Sequence, residues 1–440
     1  MLHFDEARSA AIRRLESILE HAPRSTKAVL IDDLFGGLRL ILWGGQKKDA
    51  EALRADIDRE LEKACGSYWT HDVWLATGGG KLSEADRKLY EGAWKDAQPR
   101  SHRLRVLDRH RNRGAWFQAP SEPPWEGPRS GTEPRHPPIA VFYSFKGGVG
   151  RSTALASFAI QRARQGERIV AIDADLDAPG LGHLLSATGG ETAPWGVVDY
   201  LLEKPRGEVD LSDYYHACRR NAVTGSGEIL VFPAGRINAD YLDKLARVDL
   251  EPSSSAAMHP LPQLLEEIRS DLRPDWILAD TRAGLADPAG MLLGGLAHLH
   301  VLFGTLSEQS WQGLRLVLGR LGRDRVHRGK AQADSLLVHA MVPESVEVSE
   351  KTRQTFTDRA REEFSQLYYA EDPDDKSAQD DYWSVGDAES RDAPHVPIPL
   401  SYSSRLADFR AIDSVADHLA QSPEYRHLAS RIGDRFGVEA

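Results

Sequence analysis

Residues 140–153 read AVFYSFKGGVGRST: an apolar run, glycines at 147, 148 and 150, one basic residue and two hydroxyls. The next stretch, STALASFAIQRARQG (152–166), has helical period and closes on Gly166. A strand, a glycine turn and a helix N-terminus in this order make a phosphate cradle. Glycines let successive backbone N–H groups point inward at an anion, and the helix start adds a favourable partial charge. Ser152 stands where the hydroxyl of such a loop binds magnesium, and Arg151 stands where such loops normally carry lysine.

Further along the chain, short apolar runs alternate with segments of helical period. PIAVFYS, ERIVAID, GEILVFPAG, PDWILAD, LHVLFG, SLLVHAMV and HVPIPL read as strands. The expected fold is therefore α/β, a three-layer, mostly parallel sheet with helices on both faces and ligands beyond the carboxyl ends of its strands. This domain is assigned to residues 139–440, with an acidic, aperiodic insertion at 368–394. Before it, APSEPPWEGPRSGTEPRHPP (119–138) is too rich in proline and glycine for a regular element and is read as a linker. Residues 1–118 carry apolar positions at helical spacing, such as Ala10, Ile12, Leu15, Ile18 and Leu19. They are read as a small, mostly helical N-terminal domain that serves as an adaptor for a protein partner. Its last segment, RSHRLRVLDRHRNRGAWFQ, is either a basic surface for nucleic acid or a phosphorylated partner, or a solvated helix face with locally paired arginines.

Composition narrows the class. The chain has 66 acidic against 55 basic residues, a formal charge of -11, which argues against a surface that is basic throughout. Cys65 and Cys218 have neither metal-ligand nor disulfide spacing, and the charged opening lacks the apolar core of a signal peptide. A cytoplasmic location is the expectation. His183, His298, His300 and His339 show no metal spacing and read as structural residues.

The arrangement K-G-G-x-G-[KR]-[ST]-T resembles the deviant Walker A loop of the ParA/MinD superfamily of P-loop ATPases, in the SIMIBI class. The likeness continues in IVAIDADLDAPGL with Asp173 and Asp175, WGVVDYLLE, ILVFPAGRINADYLDKL, DWILADTRAGL with Asp280, and HVPIPLSYSSRLA. The resemblance implies ATP and magnesium as ligands. ATP would be held by Lys146, Gly147, Gly148, Val149, Gly150, Arg151, Ser152 and Thr153. Ser152 would ligate magnesium directly, with Asp173 and Asp280 acting through water, and Asp175 would orient the attacking water. Lys146 would reach the nucleotide of an opposing subunit, so that ATP joins a homodimer. HVPIPLSYSSRLA would lie near the base.

Two departures bear on that reading. Arg151 replaces an ammonium with a planar fork of donors, which leaves the hydrolysis rate open. Arg282 stands where relatives usually have proline, and it either contacts the terminal phosphate or pairs with an acid of the neighbouring loop. Asp177 is a second candidate acid. The K-G-G-V-G-R form resembles a branch found in bacterial multi-component systems, by analogy conflict or anti-phage modules. The function implied is a slowly hydrolysing dimerisation switch. The alternatives are a DNA-partitioning or membrane-positioning ATPase, or an ATP sensor without turnover. For DNA the candidates are Arg405, Arg410, Arg426, Arg431 and Arg435, which are interspersed with acids. For a membrane, EYRHLASRIGDRFGVEA is poor in large apolar residues. SEQSWQG (307–313) is either a nucleotide or partner contact or a plain helix start.

Overall fold

The computed structural model describes residues 3–33, 36–43, 47–76, 84–108, 116, 123–125, 136–187, 189–248, 259–328, 334–343, 345–369, 383–407, 409 and 411–438. The chain divides into two compact units, Met1–Asn112 and Arg113–Ala440.

The first unit contains the expected helices: α1 (Phe4–His21), α2 (Lys47–Cys65) and α3 (Glu84–Asp96). It also contains a five-stranded sheet that the helical reading omits. Strands β1 (Lys27–Asp32), β2 (Leu38–Trp43), β3 (Trp69–Ala76), β4 (Gln98–Pro99) and β5 (Leu104–Asp108) lie in the order β3-β2-β1-β5-β4. The reason for the omission is burial on both faces. Ala28 and Leu30 pack with Ala7, Ala11, Leu15 and Leu19 of α1 and with Ile57 and Leu61 of α2. Val29 and Ile31 pack on the opposite face, with Ala93 and Trp94 of α3. KAVLID and LRLILW are therefore continuous apolar runs without the alternation that marks a half-exposed strand. The arginine-rich stretch 100–118 likewise contains β5 in place of a helix. Its Arg103 donates to the carbonyls of Ala22, Pro23 and Thr26, and Arg105 donates to Trp94 and lies over its ring.

The second unit is built on an eight-stranded sheet: β6 (Ile139–Ser144), β7 (Arg168–Ala174), β8 (His216–Cys218), β9 (Glu228–Phe232), β10 (Trp276–Thr281), β11 (Leu299–Gly304), β12 (Asp334–Val342) and β13 (Ile398–Ser401). The order is β13-β12-β11-β6-β10-β7-β9-β8. Every pair is parallel except β8 with β9. All seven strands read from the sequence are present, and the three-residue β8 is additional. Helix α4 (Arg151–Arg164) covers one face, where Ala154, Leu155 and Phe158 meet Phe142, Ala171 and Leu278. Helices Glu308–Arg328 and Val346–Leu367 cover the other, through Trp311, Leu318, Phe356 and Phe364.

Most of the 119–138 segment lies outside the described residues, but Trp125 is buried in the core, with its indole donating to Pro137 O. His298 accepts from the Ile139 amide through Nδ1 and pairs with Trp125 O through Nε2, which ties this tryptophan to the start of β6. Burial holds its imidazole below the usual pKa. Of the acidic insertion, residues 370–382 lie outside the described residues. Beyond them Trp383 donates to Asp334, and Asp387 accepts from the Ser384 amide.

Candidate functional site

Strand β6 ends at Ser144 and the chain turns through residues 145–150 into α4. Gly148 (φ 70°) and Gly150 (φ 82°) adopt left-handed backbone, and Gly150 caps the helix by accepting from the Ala154 amide. The turn is pinned from two sides. The Gly284 amide donates to Ser144 O, and Tyr143 Oη donates to Gly284 O. A Cβ at Gly313 would sit 1.8 Å from the Phe145 ring, so only glycine lets the helix Glu308–Arg328 approach the loop this closely. SEQSWQG thus opens a helix that buttresses the loop.

Beneath the turn, the register between β7 and β10 sets Asp173 opposite Asp280. Arg151 is buried and turned toward this pair. Its Nε donates to Asp280 Oδ1 at 2.5 Å, Nη1 to Ser144 Oγ at 3.2 Å and Nη2 to Asp175 Oδ2 at 3.2 Å. Ser152 Oγ donates to the other oxygen of Asp280. Asp173 serves the backbone, accepting from the amides of Asp175, Gly180 and Leu181 at 3.3, 3.1 and 2.9 Å. Asp175 accepts from the Ala178 amide at 3.1 Å. Burial, then the neighbouring Asp280, raises the Asp173 carboxyl to about 7, and burial also raises Asp280.

A cavity of about 660 Å³ opens above these groups. One wall is Ser144, Gly147–Thr153, Asp175, Arg282 and Ala283; the other is Met341, Leu400, Tyr402, Leu406 and Tyr425. Asp173, Asp280 and Lys146 are not among the lining residues. Lys146 is half-buried and has no hydrogen-bond or ion-pair partner among the described residues. Arg282 pairs with Asp177, Nη1 to Oδ2 at 2.5 Å, so it meets an acid of the neighbouring loop. Met341 has left-handed backbone (φ 59°) where the register of β12 against β13 shifts, and it lines the cavity. Sequence reading did not single out Ser144, Met341 or Tyr425, which carry no motif of their own.

The donor set fits a hydrated divalent cation. A hydroxyl and a carboxylate oxygen already lie side by side in Ser152 and Asp280, and added positive charge would relieve the crowding of buried carboxylates. Among the described residues no three His, Cys, Asp or Glu side chains converge as a metal cluster, because Asp173 is turned to backbone amides. Of the arginines considered for DNA, Arg405, Arg431 and Arg435 donate to the carbonyls of Ser414, Arg391 and Asp392, Arg426 is exposed, and Arg410 lies outside the described residues. No described helix is long and apolar enough to cross a membrane.

Residues 140–368 match the family model of the CobQ/CobB/MinD/ParA nucleotide binding domain. Solved structures to which the chain is similar include the cell division ATPase MinD of Pyrococcus furiosus, at 20% identity over 49% of this chain and 79% of that one, TM-score 0.35. MinD of Pyrococcus horikoshii, complexed with Mg-ADP, matches at 19% identity over 48% and 72%, TM-score 0.34. The pNOB8 ParA bound to nonspecific DNA matches at 14% identity over 68% and 98%, TM-score 0.43. Comparison with curated protein sequences finds no match.

Proposed function

Because the chain belongs to the CobQ/CobB/MinD/ParA nucleotide-binding family, we propose that it binds magnesium-ATP at the glycine loop, hydrolyses it slowly, and joins two copies of itself while the triphosphate is bound. The observation that carries this reading is the meeting of a left-handed glycine turn at the start of α4 with Ser152, Asp280 and Asp175 at one end of the sheet. The amides of residues 147–153 supply donors for phosphate oxygens. Ser152 and Asp280 hold the cation, with Asp173 behind them bracing the loop at Gly180 and Leu181. Magnesium, when bound, neutralises phosphate charge. Asp175 is the carboxylate on the cavity wall and orients water there. Its contact with Arg151 restrains it, which supports slow turnover. Lys146 stands off its own cavity without a partner among the described residues, in keeping with a role toward the nucleotide of a second copy. Residues 1–118 then relay the assembled state to a protein partner, in a bacterial multi-component system of the conflict or anti-phage kind.

The test is light scattering of the full chain with magnesium and ATPγS, beside nucleotide-binding titrations. Wild type doubles in mass with ATPγS; Lys146→Ala binds nucleotide and stays single; Ser152→Ala loses magnesium-dependent binding. Unchanged binding in Ser152→Ala overturns the site, and unchanged association in Lys146→Ala overturns the switch. A binding-only sensor is the second reading, favoured by the Arg151–Asp175 contact. Equal phosphate release from wild type and Asp175→Ala would select it.

A further inference from the structure

The cation expected to meet phosphate at this loop is already committed. Arg151 spends its guanidinium on Asp280, Asp175 and Ser144 beneath the turn, and Lys146 does not line the cavity. Arg282 does line it, from the loop that follows β10. Its partner Asp177, in the loop after β7, is 49% exposed and Arg282 itself 42%. An ion pair this open to water is weak, so its cation is easily redirected. A planar guanidinium on a cavity wall favours a phosphate that offers two oxygens.

Strand order tells which phosphate. The mostly apolar wall of Met341, Leu400, Tyr402 and Leu406, with Ser401 and Ser403 among them, comes from β12, β13 and the loop and short helix after them, on one side of β6. Arg282 and Asp175 come from β10 and β7, on the other. A nucleotide lying along the cavity with its base against the apolar wall runs its phosphates over the glycine loop toward Arg282, terminal phosphate last.

We infer that Arg282 is the residue by which this site distinguishes a nucleoside triphosphate from a diphosphate, with Asp177 competing against the terminal phosphate for its guanidinium. The inference rests on the nucleotide reading above. Asp177 holds Arg282 aside for a diphosphate and yields it to a triphosphate, so the pair sets the ratio of the two affinities and leaves the loop amides to set their common level.

Equilibrium titrations of the full chain with magnesium and either ATPγS or ADP test it. Arg282→Gln loses about tenfold in ATPγS affinity, the scale of one charge-assisted hydrogen bond, with ADP affinity within about twofold of wild type. Arg282→Lys keeps part of the preference. Asp177→Asn gains about threefold for ATPγS, the order of an exposed pair, and that gain vanishes when Arg282→Gln is added. A ratio unmoved by either single variant, or an Asp177→Asn chain that binds ATPγS more weakly, overturns the inference while leaving the site in place. A wild-type chain that binds neither nucleotide overturns the site reading and the inference together.

Discussion

The eight-stranded sheet gathers charge at both of its ends, and the ends differ in what surrounds it. At the amino ends of β7 and β9, Arg168 and Arg219 pair with Glu228, each at 2.6 Å, with the two arginines 47% and 67% exposed. At the carboxyl ends, Arg151 pairs with Asp280 at 2.5 Å, and both side chains are at most 9% exposed. Bond lengths hardly separate the outer pairs from the inner one; solvent does. Water outside can replace the arginines of the outer pairs, whose shared Glu228 is 14% exposed, so these pairs trim the fold without holding it. Inside, the only other partners among the described residues are Asp175 and Ser144 for Arg151 and Ser152 for Asp280, and the pair fixes where the loop, Asp175 and Asp280 stand.

The largest expected effect comes from breaking the inner pair. Asp280→Ala leaves the buried Arg151 guanidinium with only the longer contacts to Asp175 and Ser144 and is expected to cost about 3–5 kcal/mol in chemical denaturation. A loss near the surface value would erase the contrast. Next, Gly313→Ala puts a methyl group 1.8 Å from the Phe145 ring. A loss of about 1–3 kcal/mol is expected for such overpacking, and nucleotide affinity should fall with it because Phe145 heads the loop. Full stability would mean that the helix start can retreat.

The same rule of burial extends to protons. His339 is buried in β12, stacked on Phe356 with ring centroids 4.0 Å apart, and burial lowers its imidazole to about 4. Between that value and 6.5 the unfolded chain binds more protons than the native one, so stability falls as pH drops through this window. His339→Leu should flatten that part of the acid limb by on the order of 2 kcal/mol, measured as unfolding free energy against pH. A parallel curve would sink the assignment. The smallest change is Arg219→Ala at the outer end, within about 0.5 kcal/mol of wild type; a larger loss would blur the distinction from the opposite side.

Much of this was legible in the chain. Strands such as ERIVAID and PDWILAD stand out because a parallel sheet covered on both faces makes nearly unbroken apolar runs. That same property hid β1 and β2, whose runs lie among segments of helical period. The three residues of β8 are too few to show any period. In the site, the glycines and hydroxyls of 147–153 announce themselves because backbone geometry demands those residue types. The orientation of Arg151 does not, since it depends on Asp280, 129 positions away, and on Asp175, 24 positions away. Met341 was equally hidden, because its place on the cavity wall follows from a shift in strand register and not from its side chain.

The two outermost strands of the large sheet carry a consequence for assembly. At one margin β8 offers only three residues to a newcomer, and at the other β13 has four, with Pro399 removing an amide donor from its middle. Among the described residues, a neighbouring copy therefore finds no long run of unpaired backbone at the margins of this sheet along which to extend it into a ribbon. Growth of the large sheet by strand addition is thus discouraged at both margins, in contrast to the eight residues that β3 presents at the margin of the smaller sheet.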